Sequence, residues 1–206
     1  MKTSTAHNLD LFQQHKDEYS TPKTPVIIDV GAGRYLAIDG QGEPGAGEFQ
    51  AKLKALYGVA YTLKFMSKKA GRDYKVTPLE GLWGMTGGSF SWDAPREQWR
   101  WKLLIRVPDS IEAALVARAK DQCFAKSGDD AILGVHLETI DEGRCVQVLH
   151  VGPYAAERTT VEAMERFAQV HGLVFSGSHH EIYLSDPRRT VPEKLKTILR
   201  HPVKPG

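Results

Sequence analysis

Two stretches of this 206-residue chain are built to one plan, and that duplication constrains the fold more than any other feature. In the first, "RYLAIDGQG" reads as a strand closing on glycines, and after "EPGAG" the residues Phe49, Leu53, Leu56, Ala60 and Leu63 recur at helical spacing. "DYKVTPLEG" and "QWRWKLLIRVPD" then alternate in strand fashion, with Trp99, Trp101, Leu103, Ile105 and Val107 on one face of the latter. In the second, "AILGVHLETI" and "RCVQVLHVG" are strand-like. "GPYAAERTTVEAMERFAQVHG" follows as an amphipathic helix, with Val161, Met164 and Ala168 on one side and a Thr159/Glu162 capping pair. "HHEIYLSD" is a further strand. "TVPEKLKTILRHPV" is expected to form a short helical turn, with Leu195, Ile198 and Leu199 inward and Pro202 stopping it, before a last edge strand.

The expected fold is therefore α+β, made of duplicated strand-helix-strand-strand modules over about residues 25–108 and 129–206. "PDSIEAALVARAKDQ", within 109–128, bridges them as a helix begun by Asp109, with Glu112 at capping-box spacing. Residues 1–24 read as a polar tail with no core of its own, leaving one domain over 25–206. Each module would cover one sheet face with its helix, leaving a cleft between them.

Composition removes several function classes. A net charge of +2 and the lack of a basic run interleaved with aromatics argue against nucleic acid as a partner. Cys123 and Cys145 lack the paired spacing of structural zinc, so no metal is expected and both read as reduced thiols. The opening residues carry no apolar signal core, and no apolar run is long enough to cross a bilayer, so the expectation is a cytoplasmic protein with no membrane partner. "GAGRYLAIDGQG" lacks the strand-GxGxxG-helix setting of a dinucleotide site, and no P-loop, HExxH or nucleophile elbow occurs; no cofactor is expected.

Two glutamates stand out. In "DYKVTPLEG", Glu80 shares a strand face with Tyr74, Val76 and Pro78, and Trp83 follows. In "HHEIYLSDPRR", Glu181 shares a face with His179 and Tyr183, opposite Ile182 and Leu184. A carboxylate among apolar and aromatic groups loses water, which raises its pKa and its value as a base or counter-charge. The plainer reading of Glu80 is an ion-paired strand end, and of Glu181 a solvated face. His136 and Glu138, opposite Val135 and Leu137, are secondary candidates. Tyr57 and Tyr61 flank the apolar stripe of the first long helix, and with Trp99 and Trp101 they supply rings suited to flat or cationic molecules.

"YGVAYTLKF", "PLEGLWG", "WRWKLLIRVPD", "HVGPY" and "HEIYLSDPRRTVPEKLKTILRHPV", in that order, resemble the GyrI-like small-molecule-binding superfamily, in its stand-alone branch. The resemblance spans about residues 26–203. It implies two modules related by a pseudo-twofold axis with a ligand cavity between them. It also implies an aromatic or cationic small molecule as ligand, neutralised by a cavity glutamate at the position of Glu181. Some stand-alone members are hydrolases that open the cyclopropane of DNA-alkylating natural products, which makes detoxification one expected function and non-catalytic sequestration the other. On this basis Glu181, Glu80 and Tyr61 are the candidate catalytic residues and Trp83, Trp101, Tyr154 and Tyr183 the candidate ligand contacts, with His136 and Glu138 added as ligand contacts from their strand face alone. Glu181 and Glu80 are expected in one cavity, one as acid and one as base. DNA gyrase, for which the superfamily is named, is a less favoured partner. Gly84 stands where a second aromatic residue is expected after "PLEGLW", a departure that would open the pocket or alter its ligand.

Overall fold

The computed structural model describes residues 8–85 and 90–206. In chain order its elements are α1 (Leu11–Gln14), α2 (Lys16–Tyr19), β1 (Val26–Val30), β2 (Gly33–Gln41), α3 (Gly47–Lys69), β3 (Glu80–Met85), β4 (Trp99–Val107), α4 (Ala113–Ser127), β5 (His136–Ile140), β6 (Gly143–Val151), α5 (Glu157–Val170), β7 (Leu173–Phe175), β8 (His179–Tyr183) and β9 (Lys196–Pro205). Eight strands form one sheet in the order β1-β6-β9-β8-β3-β4-β2-β5, and β7 adds to β9. Each of these strands pairs antiparallel with its neighbours.

That order reads the same from either end once the halves are matched: β5-β2-β4-β3 mirrors β1-β6-β9-β8, and the pseudo-twofold axis passes between β3 and β8. The outer strands are exchanged. β1 precedes the first helix yet pairs with β6, and β5 precedes the second yet pairs with β2. The modules thus share one sheet and are tied at three places rather than one.

Cross-strand partners share a face, so the register divides the side chains into two sets. On one face Leu103, Gly81, Glu181, Leu199 and Val148 align across β4, β3, β8, β9 and β6, with Trp101, Trp83 and His179 in the adjacent row. Helices α3 and α5 cover this face, one over each half. Ala55, Leu56, Val59, Ala60 and Leu63 of α3 pack on Leu36, Ile38, Leu103 and Ile105. Met164 and Ala168 of α5 pack on Val146, Val148 and Leu199. On the other face Leu104, Glu80, Ile182, Ile198 and Leu149 align, beside the row Lys102, Leu82, His180, Arg200 and Gln147.

Four local expectations are corrected. Residues 9–20, expected as part of a polar tail, form a structured cover for the second face: Leu11 and Tyr19 are buried, and Leu9 bridges to Tyr74. Residues 196–205 form a ten-residue strand between β6 and β8, and the helical turn shrinks to Pro192–Lys194. Ile198 and Leu199 are therefore central strand residues on opposite faces; Pro202 is tolerated within β9, where its lack of an N–H interrupts the ladder without ending the strand. Helix α4 starts at Ala113 with Glu112 as its N-cap and no side-chain cap, and α5 starts at Glu157, two residues before the expected Thr159 cap.

Candidate functional site

Three acid-base side chains meet, buried, on the sheet face that α3 and α5 cover. Glu181 and His179 point there because they alternate with His180 and Ile182 along β8. Glu157 joins them from the first turn of α5. It begins the buried stripe of that helix, four residues before Val161, seven before Met164 and eleven before Ala168. Ligand atoms of Glu157, His179 and Glu181 all lie within 4.8 Å of one another. Glu157 and His179 are each only 1% exposed, and Glu181 7%.

No Lys or Arg pairs with either carboxyl group among the described residues. Burial, reinforced by the charge of Glu181, therefore pushes the Glu157 carboxyl up to about 10, which leaves it protonated at neutral pH and facing Glu181. His179 Nε2 stands 3.2 Å from Glu181 Oε1, yet neither ring nitrogen of His179 has an aligned hydrogen-bond partner, and Glu157 Oε1 has none either. Buried polar atoms left open in this way are uncommon in folded proteins.

An aromatic frame holds Glu181. The Trp83 indole donates to the Tyr183 hydroxyl oxygen at 3.2 Å. That bond occupies an acceptor position on Tyr183 and leaves its own proton for Glu181. Burial, with the Glu181 charge added, raises the Tyr183 phenol far above its ordinary range, so it acts only as a neutral donor. Gly81, opposite Glu181 on β3, makes this contact possible: a Cβ there would stand 3.1 Å from both Trp83 Nε1 and the Tyr183 hydroxyl. Tyr154, in the turn before α5, meets Tyr183 edge-on at 5.9 Å, and its phenol is pushed up to about 12 by burial and by Glu157 and Glu181.

The other wall is made by Phe90 and Trp92, whose rings lie 5.7 and 5.9 Å from that of His179. Their loop is fastened to the start of α5 where Arg158 donates to both Asp93 carboxylate oxygens, at 2.7 and 3.2 Å. His201 lies behind His179 at 5.2 Å, stacked on Phe175, and burial and His179 lower it to about 3, so it stays neutral.

The structure separates the residues expected to converge. Glu181, Tyr183, Trp83 and Tyr154 come together. Glu80 does not: it faces the opposite side of the sheet, fully buried, accepting from Tyr19 at 2.7 Å and bonded to His180 Nε2 at 3.0 Å. The expected shared cavity of Glu80 and Glu181 is thereby corrected, because β3 and β8 pair Glu80 with Ile182 and Gly81 with Glu181. His136 and Glu138 also lie on the Glu80 face, where Glu138 pairs with Lys102 at 2.6 Å and with His136 at 3.3 Å. Trp101 belongs to the first module's core, lying over Gly40 and donating to the Gly42 carbonyl at 3.2 Å. Tyr61 is 47% exposed between Tyr57 and Phe65, with no hydrogen bond or ring contact to Glu181 or Tyr183. Gly84 alternates with Trp83, so its missing side chain faces away from the Glu181 cleft and does not enlarge it.

Glu157 and His179 were missed as site residues. The sequence held a sign of the first: the stripe Val161, Met164, Ala168 extended back one turn lands on a glutamate, next to the "GPY" turn. It held a sign of the second in the alternation that already placed His179 beside Glu181.

Comparison with known proteins fits this geometry. Residues 101–204 match the family model of the GyrI-like small-molecule-binding domain, and the chain belongs to the GyrI-like family. Two solved structures from Listeria innocua, one described as an uncharacterized conserved protein and the other as a hydrolase, are each 37% identical to it; each match covers 96% of this chain and 100% of the other, with TM-scores of 0.89 and 0.85. The C-terminal domain of EcmrR is 13% identical, with a TM-score of 0.56 over 89% of this chain and 98% of its own, and shows the fold alone. No curated protein matches the chain.

Proposed function

We propose that this protein is a hydrolase that adds water across the strained cyclopropane of conjugated, aromatic alkylating compounds, and so detoxifies them. The observation that carries this reading is the buried Glu157–Glu181 carboxyl pair, which has no Lys or Arg partner among the described residues and is framed by Trp83, Tyr183 and Tyr154. Two carboxyl groups that cannot both ionise divide into one acid and one base. The hydrolase described among the 37%-identical structures supports the reaction class.

In this mechanism Glu181 takes a proton from water as the water oxygen bonds to a cyclopropane carbon. The ring C–C bond breaks, and its electron pair moves through the conjugated system to the carbonyl oxygen, which takes the proton of Glu157. The product is a ring-opened alcohol bearing a phenol or enol. The proton gained by Glu181 then passes to Glu157 across their contact and restores the pair. Tyr183, held by Trp83, keeps Glu181 oriented. General acid-base catalysis contributes ~10²–10⁴-fold, and ring strain supplies part of the remaining driving force.

Incubation with a cyclopropane-bearing alkylator, followed by mass spectrometry, tests this. Turnover should fall ~10²–10⁴-fold in Glu181→Gln and in Glu157→Gln and stay unchanged in Glu138→Gln. Full turnover in both site variants refutes the mechanism. A second reading, sequestration without chemistry, is favoured by the match to a small-molecule-binding domain. Tight binding with no product from the wild type would select it.

A further inference from the structure

We infer that Glu157, His179 and Glu181 form a binding site for one divalent transition-metal ion of the zinc class. Three observations point there independently of the hydrolase reading. The donor set is one imidazole and two carboxyl groups, hard-to-borderline ligands suited to Zn²⁺, Co²⁺ or Mn²⁺. His179 Nε2 and Glu181 Oε1 are 3.2 Å apart without being aligned on each other. A tetrahedral ion with bonds of ~2.0–2.1 Å has an edge of ~3.3 Å, so these two atoms already stand at the separation of neighbouring ligands. Finally, His179 offers both ring nitrogens unpartnered and Glu157 offers Oε1 unpartnered, from residues 1% exposed. A cation held beside Glu181 would give Glu157 Oε1 and one ring nitrogen of His179 the partner that no protein group supplies.

Charge supports the same assignment. Each buried anion on the opposite face has a cation or hydrogen-bond donor beside it, as Glu142 has Arg200 and Glu80 has His180 and Tyr19. The nearest guanidinium to this cluster along the chain, Arg158, is turned to Asp93 and Glu162. Two negative charges here need a proton or a metal ion, and the site accepts either. Three protein ligands leave a fourth position open. An ion would displace the shared proton and occupy the place of the attacking water's base. It would therefore block the acid-base route, a consequence that rests on the proposed hydrolysis, whereas binding itself does not.

Titration of the purified, chelator-treated protein with Zn²⁺ by calorimetry, and with Co²⁺ by visible absorption, tests the site. The expected result is one ion per chain, an intense tetrahedral Co²⁺ band, and affinity weakened at least ~100-fold in His179→Ala and in Glu157→Gln. Glu157→Gln preserves shape, so it keeps the test decisive if His179→Ala fails to fold. His136→Ala, at a partly exposed histidine outside the cluster, should leave the affinity unchanged. No binding by the folded wild type, or binding equally strong in folded Glu157→Gln, overturns the proposal. If Zn²⁺ binds as described while ring opening proceeds undiminished, the site stands and the metal-free acid-base mechanism falls.

Discussion

The two faces of the sheet each bury a cluster of glutamate and histidine, and they treat it in opposite ways. On the face covered by the N-terminal segment, Arg200 donates to Gln147, to Glu142 and to the Glu18 carbonyl, each at 2.8 Å. His180 lies between Glu142 and Glu80, 3.0 Å from each. Tyr19 closes the far side of Glu80, and Arg106 pairs with Glu18 while facing the rings of Tyr19 and Tyr35. On the helix face, one residue away along the same strand, His179 and Glu157 are left with open polar atoms, and no Lys or Arg pairs with Glu157 or Glu181 among the described residues. Buried charge is costly in both places. The first face compensates it within the fold and so behaves as structure. The second supplies Glu181 with the Tyr183 hydroxyl and the nearby His179 but no Lys or Arg, and leaves atoms of Glu157 and His179 unpartnered, a pattern frequent at functional sites.

The comparison breaks most visibly at Arg200. Arg200→Leu strands Glu142 and part of Glu80 in the interior, and removal of one partner of a buried ion pair costs ~3–5 kcal/mol. Urea unfolding should show that loss, whereas Glu157→Gln, which removes an unpaired acid, should leave stability within ~1 kcal/mol of the wild type or raise it. Equal destabilisation by both substitutions would mean that the faces do not differ as described.

Acid and base act on the structured face chiefly through the contact between His180 and Glu142. Burial alone would lower His180, but the charge and hydrogen bond of Glu142, joined by Glu80, raise it to about 9, above its unfolded value near 6.5. Its contribution is complete below pH ~6.5 and is lost as pH rises through about 9. Burial alone would raise Glu142, but His180 and Arg200 bring it down to about 2, so its contribution is complete above pH ~4.5 and is lost as pH falls toward 2. The shifts describe one interaction and count once. Thermal stability should therefore hold a plateau near pH 4.5–6.5, and His180→Gln should flatten the alkaline limb. An unchanged limb in that variant would assign the loss to another group.

Tyr19→Phe removes a donor to Glu80 but leaves His180 bonded to it. The expected cost is ~1.5–3 kcal/mol, the range for a hydrogen bond to a charged group, measured by the same unfolding curves. Because Tyr19 lies on the face away from Glu181, the folded variant should match the wild type in an assay of the proposed ring opening.

How much of this was legible in the sequence depends on the distance over which the information acts. The alternation in "HHEIYLSD" and the helical spacing of Leu53, Leu56, Ala60 and Leu63 are local, and they placed Glu181 with Tyr183 and α3 on the sheet. The face that Glu80 shares with Glu181 or not is a matter of register between strands 100 residues apart, and a shift of one residue reverses the answer. Nothing within either strand states that register. Residues 195–199 were misread because "EKLKTIL" carries apolar residues at spacings that suit a helix as well as a strand. Its place between β6 and β8, where both edges of the strand find partners, decides for the strand. The cover formed by residues 9–20 was hidden for a related reason: it is polar as a string, and its apolar anchors are few, with Phe12 and Tyr19 packed on Ile182 and Ile198 and Leu11 buried.

The smallest expected effect lies at Glu138, where sequence and structure disagree most about consequence. Its carboxyl bonds to Lys102 and His136, and those partners hold it below the usual carboxylate range against a burial that would raise it. The pair is partly open to water, at 24% exposure for the Lys102 side chain and 31% for that of Glu138. Solvent screening reduces such a bridge to ~0–1 kcal/mol, so Glu138→Gln should move the unfolding midpoint slightly and less so at high salt. Its place on the β5 side of the second face puts it across the sheet from Glu181, so ligand affinity should not change. A Glu138→Gln variant that lost affinity while keeping its stability would require a second binding surface on the face that the Arg200 network otherwise marks as structural.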